Sequence, residues 1–295
     1  MYEYFSERDY AKDFPYTDLA TERRRADTDV KGVDYKREAG LYGVWERIRI
    51  SSDEGARSIG RPKGLYDTLI VDRMDLIDEE SVEDAADEVA RELCYLFDAG
   101  DIIPERLLVV GLGNPRLSPD AVGVESARRV KATMHVKRFD EKLFSELECS
   151  EIAVILPDVT SVSGIDALVT VKGLCDAIKP DAVIAVDSLA SRSTKRLGRT
   201  VQISNTGIFP GSGIGGIHSA IDKASVGVPV ISIGVPTVID SRMFWYDAAG
   251  GKGDQESAST LQGASMFVAP KEINGIVETA AKIIGGGINQ AFGLY

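Results

Sequence analysis

Histidine and cysteine are scarce in this chain. Of its 295 residues, two are His and three are Cys. So few histidines give little support to a three-ligand zinc site or a Ser-His triad, and neither HExxH nor GxSxG occurs. Cys94, Cys149 and Cys175 are odd in number and widely spaced. They predict neither a disulfide framework nor a CxxC centre, and they fit a reducing compartment.

Positive charge is also in short supply. The chain has 34 Lys and Arg against 46 Asp and Glu, a formal net charge of −12. Such a chain repels phosphate groups, so nucleic acid is not an expected partner. No run approaches the ~18 uninterrupted apolar residues of a membrane span, and residues 1–14 lack the apolar core of a signal peptide. We therefore expect a cytoplasmic protein without membrane contact.

The apolar content, 44% of residues, is enough for a large core. Residues 1–38 are densely charged, and the first thirty or so, including TERRRADTD (21–29), are interpreted as a solvated extension. Two strand-like stretches follow at 41–51 and 65–73. Apolar residues at helical spacing then predict an amphipathic helix from 79 to 99.

Beyond residue 100, short apolar runs alternate with helical stretches. Such runs are typical of parallel strands that are covered on both faces. We therefore predict an α/β fold: a parallel sheet, mixed at its edges, between helical layers, with a β-rich N-terminal elaboration and no linker to divide the chain. The predicted strands lie at 106–113, 152–157, 182–187 and 228–236, and the predicted helices at 121–135, 164–179, 217–226 and 271–285.

Aspartates follow three of these apolar runs, where an open parallel sheet binds its ligands. Asp120 precedes a predicted helix, so by itself it fits an N-cap as well as a catalytic group. Asp187 ends an apolar strand and is partly desolvated, which leaves a structural hydrogen bond and catalysis both open. Asp240 is expected to be structural or peripheral. If Asp120 and Asp187 meet, one carboxyl can stay protonated while the other activates water.

Two glycine-rich stretches need a separate interpretation. GLGNPR (111–116) fails GxGxxG because Arg116 replaces the third glycine, and NTGIFPGSGIGG (205–216) lacks the phosphate-binding GxxxxGK[ST] pattern. A nucleotide-binding module is therefore disfavoured. The backbone around Gly211 and Gly213 either lines a substrate carbonyl or makes a tight turn.

Long motifs in the last two-thirds of the chain carry a family resemblance. They closely resemble the germination protease family of spore-forming bacteria, in the same order, over most of residues 105–292. The motifs are VVGLGNPRLSPDAVG (109–123), AVIAVDSLASRS (182–193), VQISNTGIFPGSGIG (201–215), GVPVISIGVPTVIDS (227–241) and VAPKEINGIVETAAKIIGGGINQAF (268–292).

The resemblance implies a fold of the hydrogenase-maturation-peptidase type and an endopeptidase that degrades small acid-soluble spore proteins during germination, in the spore core. The family's proposed catalytic aspartates match Asp120 and Asp187, and we expect no cofactor and no metal. Which of the two is the acid and which the base is open. The family members are typically homotetramers.

The resemblance also implies a zymogen that cuts itself. YTDLATE (16–22) resembles the family's cleavage site, with the cut between Asp18 and Leu19. Residues 1–18 would then be a propeptide and 19–295 a single α/β peptidase domain. By itself the segment fits a disordered terminal arm, and both interpretations can hold because a self-cleaved site must be flexible enough to enter an active site.

Two departures from the family and two rival functions remain. The family usually has a longer insertion where this chain has only Ser241 to Ala269, and a His where this chain has Phe209. One rival is a metal-dependent maturation-type peptidase with another protein target. The other is a non-catalytic binding paralogue, against which the retention of both aspartates and of the cleavage motif argues.

Overall fold

The computed structural model describes residues 17–24, 30–210, 219–248 and 266–294. Within them, nine strands form one sheet. The strands are β1 (Val33–Ala39), β2 (Val44–Ile50), β3 (Gly64–Ile70), β4 (Arg106–Gly111), β5 (Glu151–Ile155), β6 (Ala182–Ser191), β7 (Thr200–Ser204), β8 (Val230–Asp240) and β9 (Phe267–Val268).

Helices of very different lengths connect the strands in the same described ranges. They are α1 (Ala20–Arg23), α2 (Asp53–Ile59), α3 (Glu79–Ala99), α4 (Val122–Ala127), α5 (Met134–Phe139), α6 (Glu141–Glu146), α7 (Thr160–Ser163), α8 (Ala167–Ile178), α9 (Lys223–Val226), α10 (Ser241–Ala248) and α11 (Ile273–Ala291). None of them is long and apolar enough to cross a membrane.

The sheet has a parallel half and an antiparallel half. Its order is β1-β2-β3-β7-β8-β6-β4-β5, with β9 paired to β8. The strands β8, β6, β4 and β5 are mutually parallel, whereas β1, β2, β3 and β7 pair antiparallel and β7 joins β8 antiparallel. The predicted α/β fold, with a parallel sheet mixed at its edge and a β-rich N-terminal part, is confirmed.

Helices cover both faces of the parallel strands. On β4, Leu107 and Val109 belong to a core cluster shared with α3 and α11. Leu108 and Val110 belong to a second cluster that includes Val171 of α8. Successive side chains of a strand point to opposite faces, so the unbroken apolar run of β4 fills two layers at once.

Two predicted helices are shorter than expected. The helix predicted at 121–135 ends at Ala127, because the backbone beyond it bonds elsewhere: Lys131 N donates to Asn289 Oδ1 and Thr133 N to Ile152 O. The helix predicted at 217–226 is wrong over its described part except for α9. There Ile221 instead exchanges backbone hydrogen bonds with Ile208.

The N-terminal extension is only partly the solvated arm that its charge predicts. Residues 33–39 form the edge strand β1, whose charged side chains are mostly exposed. Charges on an edge strand discourage pairing with other chains. The segment 17–24 is bound to the body of the protein, as described below.

Candidate active site

Asp187 lies inside β6, not at its end as predicted. The neighbouring β4 stops at Gly111, whereas β6 continues to Ser191 beside β8. Asp187 therefore lies just beyond the last residue of β6 that pairs with β4, and it is only 6% accessible. One carboxylate oxygen accepts a hydrogen bond from the Ser188 backbone N–H at 2.8 Å.

Asp120 ends a short 3-10 turn, Ser118–Asp120, between β4 and α4. It does not cap α4, whose N-cap position is Ala121 and carries no side-chain cap, so the N-cap interpretation is wrong. Asp120 Oδ2 accepts a hydrogen bond from the Asn114 N–H at 2.8 Å. The turn is held against β8 because Thr237 Oγ1 donates to the Pro119 carbonyl at 2.6 Å.

Both aspartates line one cavity of about 220 Å³. Burial raises the pKa of the Asp187 carboxyl well above its ordinary value, and the charges of Asp120 and Asp18 raise it further. Burial also raises the pKa of Asp120, against the opposing effect of the Asn114 N–H. Two facing carboxyls with raised pKa values hold a proton at neutral pH more readily than ordinary aspartates do.

Residues 17–23 are docked beside this cavity. Thr17 is 2% exposed and Leu19 and Ala20 are fully buried. Asp18 N donates to the Ala190 carbonyl and Asp18 Oδ2 accepts from the Ala190 N–H, both at 2.9 Å. Arg61 lies 3.3 Å from Asp18 Oδ1. The interpretation of these residues as a disordered arm is therefore wrong, and Asp18 itself lines the cavity.

Glu22 fixes the other end of the docked segment. Its carboxylate accepts hydrogen bonds from Ser191 Oγ at 2.9 Å, from the Arg192 N–H at 2.6 Å and from the Ser193 N–H at 2.9 Å. Thr17 Oγ1 donates a further bond at 2.5 Å. We call the three donors of residues 191–193 the acid cradle. Charge-assisted bonds of this kind are the stronger class of hydrogen bond.

A single row of the sheet passes beneath the docked segment. Asp187 of β6 pairs with Gly234 of β8, which in turn pairs with Gln202 of β7. Residues in register on adjacent strands present their side chains to the same face. Asp187 and Gln202 therefore stand on one face with only a glycine between them.

Gln202 holds the backbone of the docked segment at two points. Its Nε2 donates to the Asp18 carbonyl at 3.1 Å, and its Oε1 accepts from the Ala20 N–H at 2.8 Å. The first bond is to the carbonyl oxygen of the peptide bond between Asp18 and Leu19, and the second is to the N–H of the next peptide group. Gln202 thus binds directly to the bond that the sequence resemblance marks for cleavage.

The chain is similar to known proteases along most of its length. The germination protease family profile matches residues 11–249. A germination protease of Caldanaerobacter subterraneus subsp. tengcongensis is 34% identical, with 93% of each chain covered. One from Clostridium perfringens is 32% identical over 93% of this chain and 94% of its own.

The chain belongs to the germination protease family. It is therefore a peptide-bond hydrolase. Among solved structures, a NiFe hydrogenase maturation protease from Thermococcus kodakarensis matches with a TM-score of 0.36 and 19% identity, covering 67% of this chain and 99% of its own.

The sequence singled out four further residues. Gly211 and Gly213 lie outside the described residues, so their predicted contact with substrate stays a prediction. Asp240 is fully buried and forms an ion pair with Arg242 at 2.9 Å, which is the structural role expected of it. Phe209, the residue that departs from the family pattern, lines the cavity.

Three contributors to this site were missed from the sequence: Arg61, Gln202 and Glu22. Arg61 lies in the loop between α2 and β3, far in sequence from every motif, so only the tertiary fold brings it to Asp18. Gln202 carried a usable signal, since it is a polar residue inside the apolar alternation of VQIS (201–204). Glu22 is the last residue of the cleavage motif, but the sequence does not indicate which backbone N–H groups bind it.

Proposed function

We propose that this chain is an endopeptidase that degrades small acid-soluble spore proteins during germination, in the spore core. It is made as a zymogen that removes residues 1–18 by cutting between Asp18 and Leu19, which leaves 19–295 as the peptidase domain. The observation that carries the proposal is the position of Asp18: it lines the same cavity as Asp120 and Asp187.

The two aspartates have different roles in the proposed reaction. Asp187, the more buried carboxyl with the charge of Asp120 facing it, holds the shared proton, and Asp120 is ionised. A water molecule between them attacks the Asp18 carbonyl carbon as Asp120 removes its proton, and the carbonyl π electrons move to the oxygen. Asp187 then protonates the Leu19 nitrogen as the C–N bond breaks. The products are a carboxyl group at residue 18 and an amino group at residue 19.

The acidic residue before the cut is recognised by charge. Arg61 donates to the Thr17 carbonyl at 3.1 Å and lies 3.3 Å from the Asp18 carboxylate. Both side chains of this ion pair are close to one-tenth exposed, so the interaction is screened little by solvent. Spore-protein substrates would present an acidic residue to Arg61 in the same way.

The metal-dependent alternative makes a different demand on the site. Within the ranges that the structure describes, no group of three His, Cys, Asp or Glu side chains is placed to hold a metal ion. The donor set at the cavity is two carboxyls, with a third supplied by the propeptide itself. The mechanism therefore uses no metal ion.

We further propose a homotetramer, which native mass spectrometry of the purified chain would test.

Intact mass spectrometry of the full chain tests the proposal. Purified wild type, Asp187→Asn and Asp120→Asn are incubated at mildly acidic pH and followed in time. We expect wild type alone to lose residues 1–18, because each variant lacks one of the two carboxyls.

The matched control is Asp158→Asn. Asp158 follows the carboxyl end of β5, is exposed and accepts a hydrogen bond from the N–H of the next residue, Val159. This variant should therefore be processed like wild type. Processing of Asp187→Asn at the wild-type rate would remove Asp187 from the mechanism. Chelator-sensitive processing would favour the metal-dependent alternative.

A further inference from the structure

The peptide bond between Asp18 and Leu19 is held by a side chain that the aspartate mechanism leaves unused. Gln202 is 8% exposed, and both ends of its amide form hydrogen bonds with the docked segment. A purely structural tie has no need to bond the carbonyl oxygen of the bond to be cut. That oxygen is where negative charge develops when water attacks.

We propose that Gln202 is a catalytic residue that stabilises the negative charge on the carbonyl oxygen of the cleaved bond. The inference rests on the proposed function. Its Nε2–H donates to that oxygen, while its Oε1 accepts from the Ala20 N–H and so prevents the amide from turning over. Asp187 lies two strands away in the same row and on the same face of the sheet. The donor is held in place before the reaction, so no reorganisation is needed when the charge appears.

Two substitutions at Gln202 separate the donor from the docking bond. In Gln202→Glu, an ionised carboxylate still accepts from the Ala20 N–H but has no proton to donate. In Gln202→Met, a side chain of similar size makes neither bond. The docked state is measured by hydrogen exchange at the Ala20 amide, and the chemistry by the first-order rate of loss of residues 1–18 from the full chain.

We expect Gln202→Glu to keep the Ala20 amide protected and to be processed about 10²–10³ times more slowly than wild type. Relative to wild type, its rate should rise as the pH falls and the Glu carboxyl regains a proton. Gln202→Met should be at least as slow and show no such dependence. The control is Thr68→Val, which changes the residue that pairs with Gln202 on β3 and removes a hydroxyl that makes no hydrogen bond within the described residues.

Three outcomes are distinguishable. A wild-type chain that never cuts itself refutes the proposed function. Wild-type rates in both Gln202 variants overturn the role of Gln202 alone. If the processing rate falls only in proportion to the loss of hydrogen-exchange protection at the Ala20 amide, Gln202 is a docking residue, and this result also overturns the inference.

Discussion

Asp187 is held where an ionised carboxylate is least stable. Its pKa is raised by burial and by the charges of Asp120 and Asp18, whereas an unfolded aspartate titrates near ~3.9. Between these two pKa values the native state keeps a proton that the unfolded state has released. Linkage then makes the free energy of unfolding fall as the pH rises through that window. The Asp187 carboxyl therefore destabilises the fold at neutral pH.

We predict that Asp187→Asn is inactive and more thermally stable than wild type at pH 7. An amide carries no charge to desolvate, so the stability gain should shrink as the pH falls and disappear below about 4, where the aspartate becomes protonated in the unfolded state as well. Loss of the general acid should slow cleavage by about 10²–10⁴-fold. Thermal melts at a series of pH values, run beside Asp158→Asn, check the stability part. A variant less stable than wild type at every pH would contradict it.

Glu92 is a second buried carboxyl, outside the active site. Arg47 Nη1 lies 2.7 Å from Glu92 and 3.2 Å from Asp67. Burial, followed by the hydrogen bond and charge of Asp67, raises the pKa of Glu92 to about 8. Burial raises the pKa of Asp67 as well. At neutral pH this group therefore holds one proton between two carboxyls.

We predict that Glu92→Gln flattens the pH dependence of stability. In wild type the raised pKa of Glu92 makes the free energy of unfolding fall by up to about 1.4 kcal/mol per pH unit as the pH rises toward 8. Gln still accepts from Arg47 and donates to Asp67 but does not titrate. Urea unfolding at pH 6, 7 and 8 measures the slope. An unchanged slope in the variant would show that Glu92 does not carry it.

At the scale of elements, the main helical contact is between α3 and α11. The α11 sequence contains three consecutive glycines, and Gly287 is where the helices come closest. A Cβ at residue 287 would lie 2.7 Å from Val89 Cγ1 and 2.9 Å from the Ala86 carbonyl oxygen. Both distances are shorter than a carbon contact allows, so the missing side chain sets the spacing between the helices.

We predict that Gly287→Ala destabilises the protein by about 1–3 kcal/mol, because the added methyl group overpacks the helix contact. The matched control is Gly275→Ala in the same helix. A Cβ there meets nothing closer than Asp75 Cβ at 3.6 Å, so better helix propensity should leave stability unchanged or raise it by up to about 1 kcal/mol. Urea denaturation of both variants makes the comparison, and equal effects would refute it.

Elements with internal periodicity are the ones that the sequence predicted well. The helix predicted at 79–99 is α3, Glu79–Ala99, because its apolar face recurs along its whole length and Asp78 caps its start. The helix predicted at 121–135 fails because Asn289 and Ile152, distant in sequence, take the backbone groups that would have continued it. Asp120 and Asp187 were predicted to lie near each other because each follows an apolar run, which is also a local pattern, and both line one cavity.

The docked segment could not be predicted in this way. Its partners Ala190 and Gln202 lie more than 170 residues further along the chain, and its composition is that of a solvated arm. Charge alone therefore gave the wrong answer for residues 17–24. The paired backbone and the buried Leu19 and Ala20 show that tertiary contacts outweighed it.

At the scale of the whole molecule, the proposed cleavage site and the groove that holds it, formed by residues 190–193 and 202, belong to one chain. The segment is bound by residues 190–193 and 202 before any reaction occurs. A reaction between groups already held together needs no collision between molecules. Its rate should therefore not depend on protein concentration.

We predict first-order loss of residues 1–18 with the same rate constant across a hundredfold range of chain concentration. A mixing experiment gives the control: active wild type is added to isotope-labelled Asp187→Asn, whose own segment fills its groove. The labelled chain should stay whole over the time in which wild type is fully processed. Rapid cleavage of the labelled chain would show that the junction leaves its own groove and is cut by a neighbour.

Cutting the Asp18–Leu19 bond would not by itself empty the groove. Leu19 and Ala20 are fully buried, and Glu22 stays in the acid cradle, so the new chain end remains where it was. It is then a tethered product, present at an effective concentration in the millimolar range that short flexible tethers typically give. Any spore protein must outcompete it, so the first consequence of processing is an enzyme inhibited by its own N-terminus until that end is displaced.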